Sequence, residues 1–246
     1  VTVNSDMCIG CGNCITACTH EARVGIDDYD KFMEAVRSRV PMVAVAAPAI
    51  AANFPGDYLR INGWLKSIGA EAVFDVSFGA ELTIKSYLDA IQNKGAKTVI
   101  AQPCPAIVTY CEIYKPELLK NLAPADSPML HTIKMVKRFY PKYANHKVVV
   151  LSPCFAKRRE FDETGLGDFN LTYQSIAKHI KDNSISLASY PVTDYDNTPA
   201  ERAVLFSTPG GLMRTAERDV PGVIVAGVTI DAGTVCATID GAGPFR

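Results

Sequence analysis

Four cysteines crowd the start of this chain: Cys8-Ile-Gly-Cys11-Gly-Asn-Cys14-Ile-Thr-Ala-Cys18, a C-x2-C-x2-C-x3-C run. Thiolates are soft ligands, and three of them two residues apart can wrap one corner of an iron–sulfide cube. Gly10 and Gly12 remove side chains where backbone amides must approach sulfur. Zinc sites usually space their ligands as two separated pairs, and a disulfide scaffold spreads its cysteines through a small secreted chain. The run therefore predicts a 4Fe-4S cluster in a reducing compartment, held by Cys8, Cys11, Cys14 and Cys18. Where such runs occur twice, the fourth cysteine ligates the other cluster, and only one run exists here. Cys18 either closes the same cluster or serves a motif that once lay before Val1. Thr19 stands where proline is usual, and His20 beside it reads as a polar neighbour, not a ligand.

Two more cysteines follow strand-like runs. Thr98 to Ala101 enters Gln102-Pro103-Cys104-Pro105, and Lys147 to Leu151 enters Ser152-Pro153-Cys154-Phe155-Ala156-Lys157. Ligands of open α/β sheets bind outside the carboxyl ends of strands. Two thiols placed there after proline-stiffened turns are expected at neighbouring strand ends, facing one cavity. Two small buried core residues would show the same spacing. Lys157, followed by Arg158 and Arg159, reads by itself as a surface lysine. Cys111 and Cys236 lack ligand spacing and read as core residues.

The elements that must position these groups follow from periodicity. Residues 1–28 are loop-rich around the cysteines and form a small ferredoxin-like 4Fe-4S segment; residues 29–39 have helical spacing with a basic end, a linker helix. From residue 40, apolar strand-type runs (Met42 to Ala47, Ala72 to Val76, Thr98 to Ala101, Lys147 to Leu151) alternate with helical patterns. The helices fall at Tyr58 to Ser67, Glu81 to Asn93, Ala106 to Tyr114, Met129 to Phe139 and Tyr173 to Asp182. Strands buried on both faces with helices between them predict an α/β domain with mostly parallel sheets flanked by helices, over 40–222. Residues 223–246 are left as an unassigned tail.

Of 246 residues, 48% are apolar, enough for one sizeable core. The net charge is −1, with 25 basic against 26 acidic residues in no block, which argues against nucleic acid as a partner. No apolar stretch of about 20 residues is present to span a bilayer, and no secretory leader precedes Cys8, so the expected location is cytoplasmic.

Several segments together resemble the iron-iron hydrogenases, and specifically the subclass proposed to sense hydrogen. They are the cysteine run, Phe78-Gly-Ala-Glu-Leu-Thr83, Pro103-Cys-Pro-Ala-Ile107, Tyr114-Lys-Pro-Glu-Leu118, Ala125-Asp-Ser-Pro128, Pro153-Cys-Phe-Ala-Lys157 and Pro209-Gly-Gly-Leu212, in the family's order. The resemblance covers roughly residues 5 to 222. It implies an iron hydrogenase-like domain with an H-cluster, a four-iron cube joined through a cysteine to a two-iron subsite bearing carbon monoxide and cyanide. Matched residue by residue, Cys104 and Cys154 correspond to two of the cube's four cysteines, and Pro103 and Pro153 flank them in the cofactor pocket. Lys157 corresponds to the catalytic-site lysine that hydrogen-bonds a cyanide, where a fixed ammonium suits a negative ligand in a dry pocket. The implied partners are H2, protons, and an electron-transfer partner or signalling domain.

Two departures qualify this. Pro103 stands where the fully catalytic members carry a proton-passing cysteine, and proline has no ionisable group, which implies slow turnover or sensing. The family's third motif supplies two further cube cysteines, and nothing after Gly222 matches it. The H-cluster is thus not completable from this chain, an expectation of truncation, frameshift or natural degeneracy. The alternative reading is a non-catalytic iron–sulfur protein, for electron transfer or cluster assembly, related to the hydrogenases.

Overall fold

A computed structural model describes residues 3–20, 22–206, 208, 210–222, 224–230 and 234–240. Four strands make the main sheet: β1 (Met42–Ala46), β2 (Ala70–Asp75), β4 (Lys147–Ser152) and β5 (Phe169–Thr172), in the order β2-β1-β4-β5. All three pairings are parallel, with Val45 opposite Phe74, Ala44 opposite Val149, and Leu151 opposite Leu171. Every residue of β1 is buried, and so is all of β4 after Lys147. Successive side chains of a strand point to opposite faces, so such strands need cover on both.

Cover comes from two apolar layers. Met42, Ala44, Ala46, Val149 and Leu171 pack on one face with Phe32 of helix α1 (Tyr29–Arg37), Trp64 and Leu65 of α2 (Tyr58–Ser67) and Ile176 of α7 (Tyr173–Asp182). Val43, Val45, Phe74, Val148 and Val150 pack on the other with Met129, Ile133 and Val136 of α5 (Pro128–Phe139) and Phe161 of α6 (Lys157–Thr164). The termini of α5 follow from local chemistry. Ser127 caps its start by accepting the Leu130 N–H, Pro128 occupies the first turn, and Lys137 and Arg138 complement the dipole at its end.

A third apolar cluster joins α3 (Ser77–Gln92), β3 (Thr98–Ile100) and α8 (Gly211–Asp219) through Ile84, Tyr87, Val99, Leu212 and Ala216. Here the expected strand series is corrected: β3 leaves the parallel sheet and pairs antiparallel with β7 (Thr234–Asp240), which pairs antiparallel with β6 (Ile224–Ile230). Only Val99 of β3 is fully buried. A three-residue strand with that pattern cannot occupy the middle of a sheet covered on both faces.

The helix expected over 29–39 runs from Tyr29 to Arg37, while β2 begins two residues earlier and α3 four residues earlier than expected. Periodicity missed α6 because Lys157-Arg-Arg-Glu-Phe-Asp-Glu-Thr buries only Lys157 and Phe161, leaving no apolar stripe to read. The tail carries two strands, and the side chain of Cys236 falls outside what is described, as does Pro209. Among the described residues no helix is long and apolar enough to cross a membrane.

Candidate metal centre

Cys104 closes the turn after β3 and stands at the N-cap of α4 (Pro105–Tyr114), whose first helical residue is Pro105. Cys154 follows β4 by two residues, and Lys157 opens α6. These strands belong to different sheets, so the expectation of neighbouring strands in one sheet is corrected. Their ends nonetheless meet: Cys104, Ala106 and Ala156 form one buried cluster with Cys154 packed on it. The two side chains are close enough to perturb one another's protonation. The Cys154 thiol donates to Cys104, which outweighs burial and, helped by the Ile107 and Ala106 N–H groups and the charge of Lys157, brings Cys104 down to about 6. Cys154 is pushed far above its ordinary range by that same bond and by burial. Cys104 is buried in this site and Cys154 half-buried.

Lys157 is buried, with its Nζ donating to the Pro103 carbonyl and to Glu160 Oε2, both at 2.8 Å. The ammonium is therefore fixed above the Pro103–Cys104 turn, not free at the surface. Pro103 serves the site through its carbonyl oxygen. The i,i+3 spacing of Lys157 and Glu160 at a helix start was a usable signal for this pair. Asn170, which donates from Nδ2 to the Cys154 carbonyl at 3.0 Å, had no local signal, lying 16 residues away on β5.

The N-terminal loop holds its four cysteines differently. Cys11 and Cys14 are exposed, Cys8 and Cys18 half-buried. Gly10 (φ 75°) and Gly12 (φ 80°) take the left-handed conformation that a side chain would strain, and the Gly10 N–H points at Cys8 Sγ, 3.4 Å away. Backbone N–H groups of His20, Ala22 and Arg23 turn toward Cys18 and lower its pKa despite slight desolvation. Such N–H···S contacts tune cluster thiolates. Among the described residues no three Cys, His, Asp or Glu side chains converge on a metal position. The N-terminal run is an all-thiolate set with amides aimed at two of its sulfurs, a chemistry that fits a 4Fe-4S cluster. The Cys104–Cys154 site supplies two thiols where the implied cube asks for four, so the described residues do not fit a complete H-cluster. His20 is exposed and bonds Thr19; Cys111 is buried on α4, where desolvation raises its pKa.

The two sites adjoin. Ile9, between Cys8 and Cys11, packs on the Cys104–Ala156 cluster, Arg159 donates to the Cys8 carbonyl, and the Tyr114 hydroxyl donates to the Met7 carbonyl at 2.8 Å. A side chain at Gly10 would press on Ala156, with a Cβ 3.2 Å from that residue's Cβ.

Comparison with known proteins agrees with this architecture. The profile of the iron-only hydrogenase large subunit, C-terminal domain, matches residues 40–235, and that of the 4Fe-4S binding domain matches residues 1–24. The chain is 32% identical over 178 residues to iron hydrogenase 1 of Clostridium pasteurianum, covering 65% of this chain and 31% of that protein. It is 24% identical over 223 residues to the mouse nuclear prelamin A recognition factor, covering 75% and 48% respectively. The chain thus spans less than half the length of either relative. In fold it resembles the FeFe-hydrogenase HydA1 of Chlamydomonas reinhardtii, with a TM-score of 0.63 at 22% identity, covering 84% of this chain and 62% of that one.

Proposed function

The chain belongs to the iron-only hydrogenase family, joined to a 4Fe-4S binding segment, and on that premise we propose a hydrogen-responsive iron–sulfur protein. In this reading it binds H2 or interconverts it slowly with protons and electrons, as in the sensory subclass. The N-terminal cluster would supply the electron relay toward a redox partner or signalling domain. The observation that carries the reading is the meeting of Cys104, Cys154 and Lys157 from two separate sheets, with Ile9 of the cysteine loop packed on them.

Cys8, Cys11, Cys14 and Cys18 would hold the N-terminal cluster, which supplies one-electron redox chemistry at the protein's edge. At the second site the chain's own residues provide two thiols and a buried, fixed ammonium, and burial strengthens the attraction of that positive charge for an anionic ligand. Pro103 offers no proton at the turn, and its carbonyl is occupied by Lys157, so this position holds geometry and passes no proton.

A second reading, a non-catalytic iron–sulfur protein, is favoured by Pro103 and by the two-thiol count at the second site. One experiment separates the two. After maturation with the machinery that installs a two-iron subsite, the first reading expects infrared bands of bound carbon monoxide and cyanide. Iron content with no such bands would overturn it and leave the second.

A further inference from the structure

The backbone of Cys154 is held from both sides by two side chains that the metal chemistry does not require. Its N–H donates to Ser152 Oγ at 3.3 Å, and its carbonyl accepts from Asn170 Nδ2 at 3.0 Å. Ser152 Oγ reaches Asn170 Oδ1 at 3.0 Å, closing a ring of hydrogen bonds around the Ser152–Cys154 turn. Ser152 and Asn170 are each only 1% exposed, so water does not replace a bond lost here. The ring continues outward to Asp28, which stands at the start of α1, ten residues past Cys18. The Asn170 N–H donates to Asp28 Oδ2 at 3.1 Å, and the Asp28 N–H donates to the Asn170 carbonyl at 3.0 Å. Arg158, next to Lys157, donates to the same Asp28 oxygen at 3.0 Å. One residue earlier, Asp27 accepts from both the N–H and the hydroxyl of Thr172 on β5.

We propose that Asn170 is a positioning residue: with Ser152 it fixes the thiol of Cys154 toward Cys104, and through Asp28 it ties that thiol to the linker behind the N-terminal cluster. A thiol on a turn with free backbone groups samples several directions; one whose N–H and carbonyl are both engaged does not. The two cysteine sites are thereby registered through a β5 residue that touches neither metal position. This rests on the reading that Cys104 and Cys154 form one site, and the test is chosen to be independent of bound metal.

The full chain, freed of metal with a chelator, is treated with iodoacetamide, and the alkylation rates of Cys154 and Cys111 are followed by peptide mass spectrometry. Asn170→Ala is expected to raise the Cys154 rate about tenfold, the loss of roughly one good buried hydrogen bond, with Cys111 unchanged. The double variant Ser152→Ala/Asn170→Val, which strips both side chains from the Cys154 backbone, is expected to raise the Cys154 rate at least as far as Asn170→Ala; a return to the parent rate overturns the proposal. So does an equal rise at Cys111, which marks general loosening, or no rise at Cys154. Asp28→Ala, which touches no atom of Cys154, is expected to raise the Cys154 rate by a smaller factor, and no change there overturns the link to the linker. An absence of iron at Cys154 in the parent chain would defeat the ligand reading while leaving these rates as expected.

Discussion

The two cysteine regions reach similar chemistry by opposite routes. The N-terminal run packs four thiols into eleven residues, two of them exposed and none yet gathered on a common point. Cys104 and Cys154 stand fifty residues apart, yet folding alone packs Cys154 against the buried cluster that holds Cys104. A cluster bound at the first region would draw its ligands from an exposed loop, whereas in the second the core holds the two cysteines together. Metal-dependent folding of short thiolate loops and preorganised donors on rigid elements are the two general solutions. The largest effect that tests the contrast is Cys11→Ser. It should remove nearly all iron bound at the N-terminus and the broad visible absorption, while the thermal transition of the α/β core stays where it is. A parallel collapse of the core transition would break the comparison.

The converse lesion attacks the core. Trp64 is 1% exposed beneath the β1 face, and Trp64→Ala should cost about 3–5 kcal/mol of stability, read by denaturant unfolding. Because the preorganised pair depends on β4 and its cover, this variant should expose Cys104 to alkylation while iron bound at the N-terminal run persists. Iron loss equal to that of Cys11→Ser would show that the loop, too, relies on the core. A smaller effect is expected at Lys157, whose side chain is 10% exposed against 13% for Glu160. Lys157→Met strands the Glu160 carboxylate and should destabilise by about 1–3 kcal/mol. Lys157→Met/Glu160→Gln should recover most of that loss; a double variant as unstable as the single would place the lysine's importance in its bond to the Pro103 carbonyl instead.

Legibility in the sequence divides along the same line. The loop's chemistry was readable because its ligands are local: Cys8 to Cys18 and the two glycines state the chemistry in one stretch. The strands β1 and β4 were readable because burial on both faces leaves an unbroken apolar run. That Cys104 and Cys154 meet followed from the rule about strand ends, but the sheets they end did not, because β3 is too short and half-buried to betray an antiparallel partner at Thr234–Asp240. Asp28, Asn170 and Ser152 were invisible for a plainer reason. The bonds that join them to one another span 18 and 142 residues, and Ser152 and Asn170, polar residues inside strands, look like solvent-facing ones until the fold buries them.

The finest test of the contrast lies on the linker that joins the two regions. Burial pushes the Asp28 carboxyl up, but the Asn170 N–H, Lys31 and Arg158 together outweigh it and hold the group below the usual carboxylate range. A carboxyl whose pKa is lower folded than unfolded adds stability that is fully present above the unfolded value of about 4 and is lost as pH falls through the folded value below it. Asp28→Asn keeps an oxygen that can accept the Asn170 N–H and removes only the charge. Its cationic partners are partly solvated, with Arg158 40% and Lys31 73% exposed in their side chains, so the charge contributes about 1 kcal/mol or less. The variant should be less stable than the parent at pH 7 by that amount, and the gap should close below about pH 4 as the parent's Asp28 takes up its proton. Unfolding followed by denaturant at a series of pH values reads the gap. A difference that stays constant from neutral pH into the acid range would mean that Asp28 holds the linker to β5 through its backbone pairing with Asn170 alone, and the two cysteine regions would then be joined by geometry without charge.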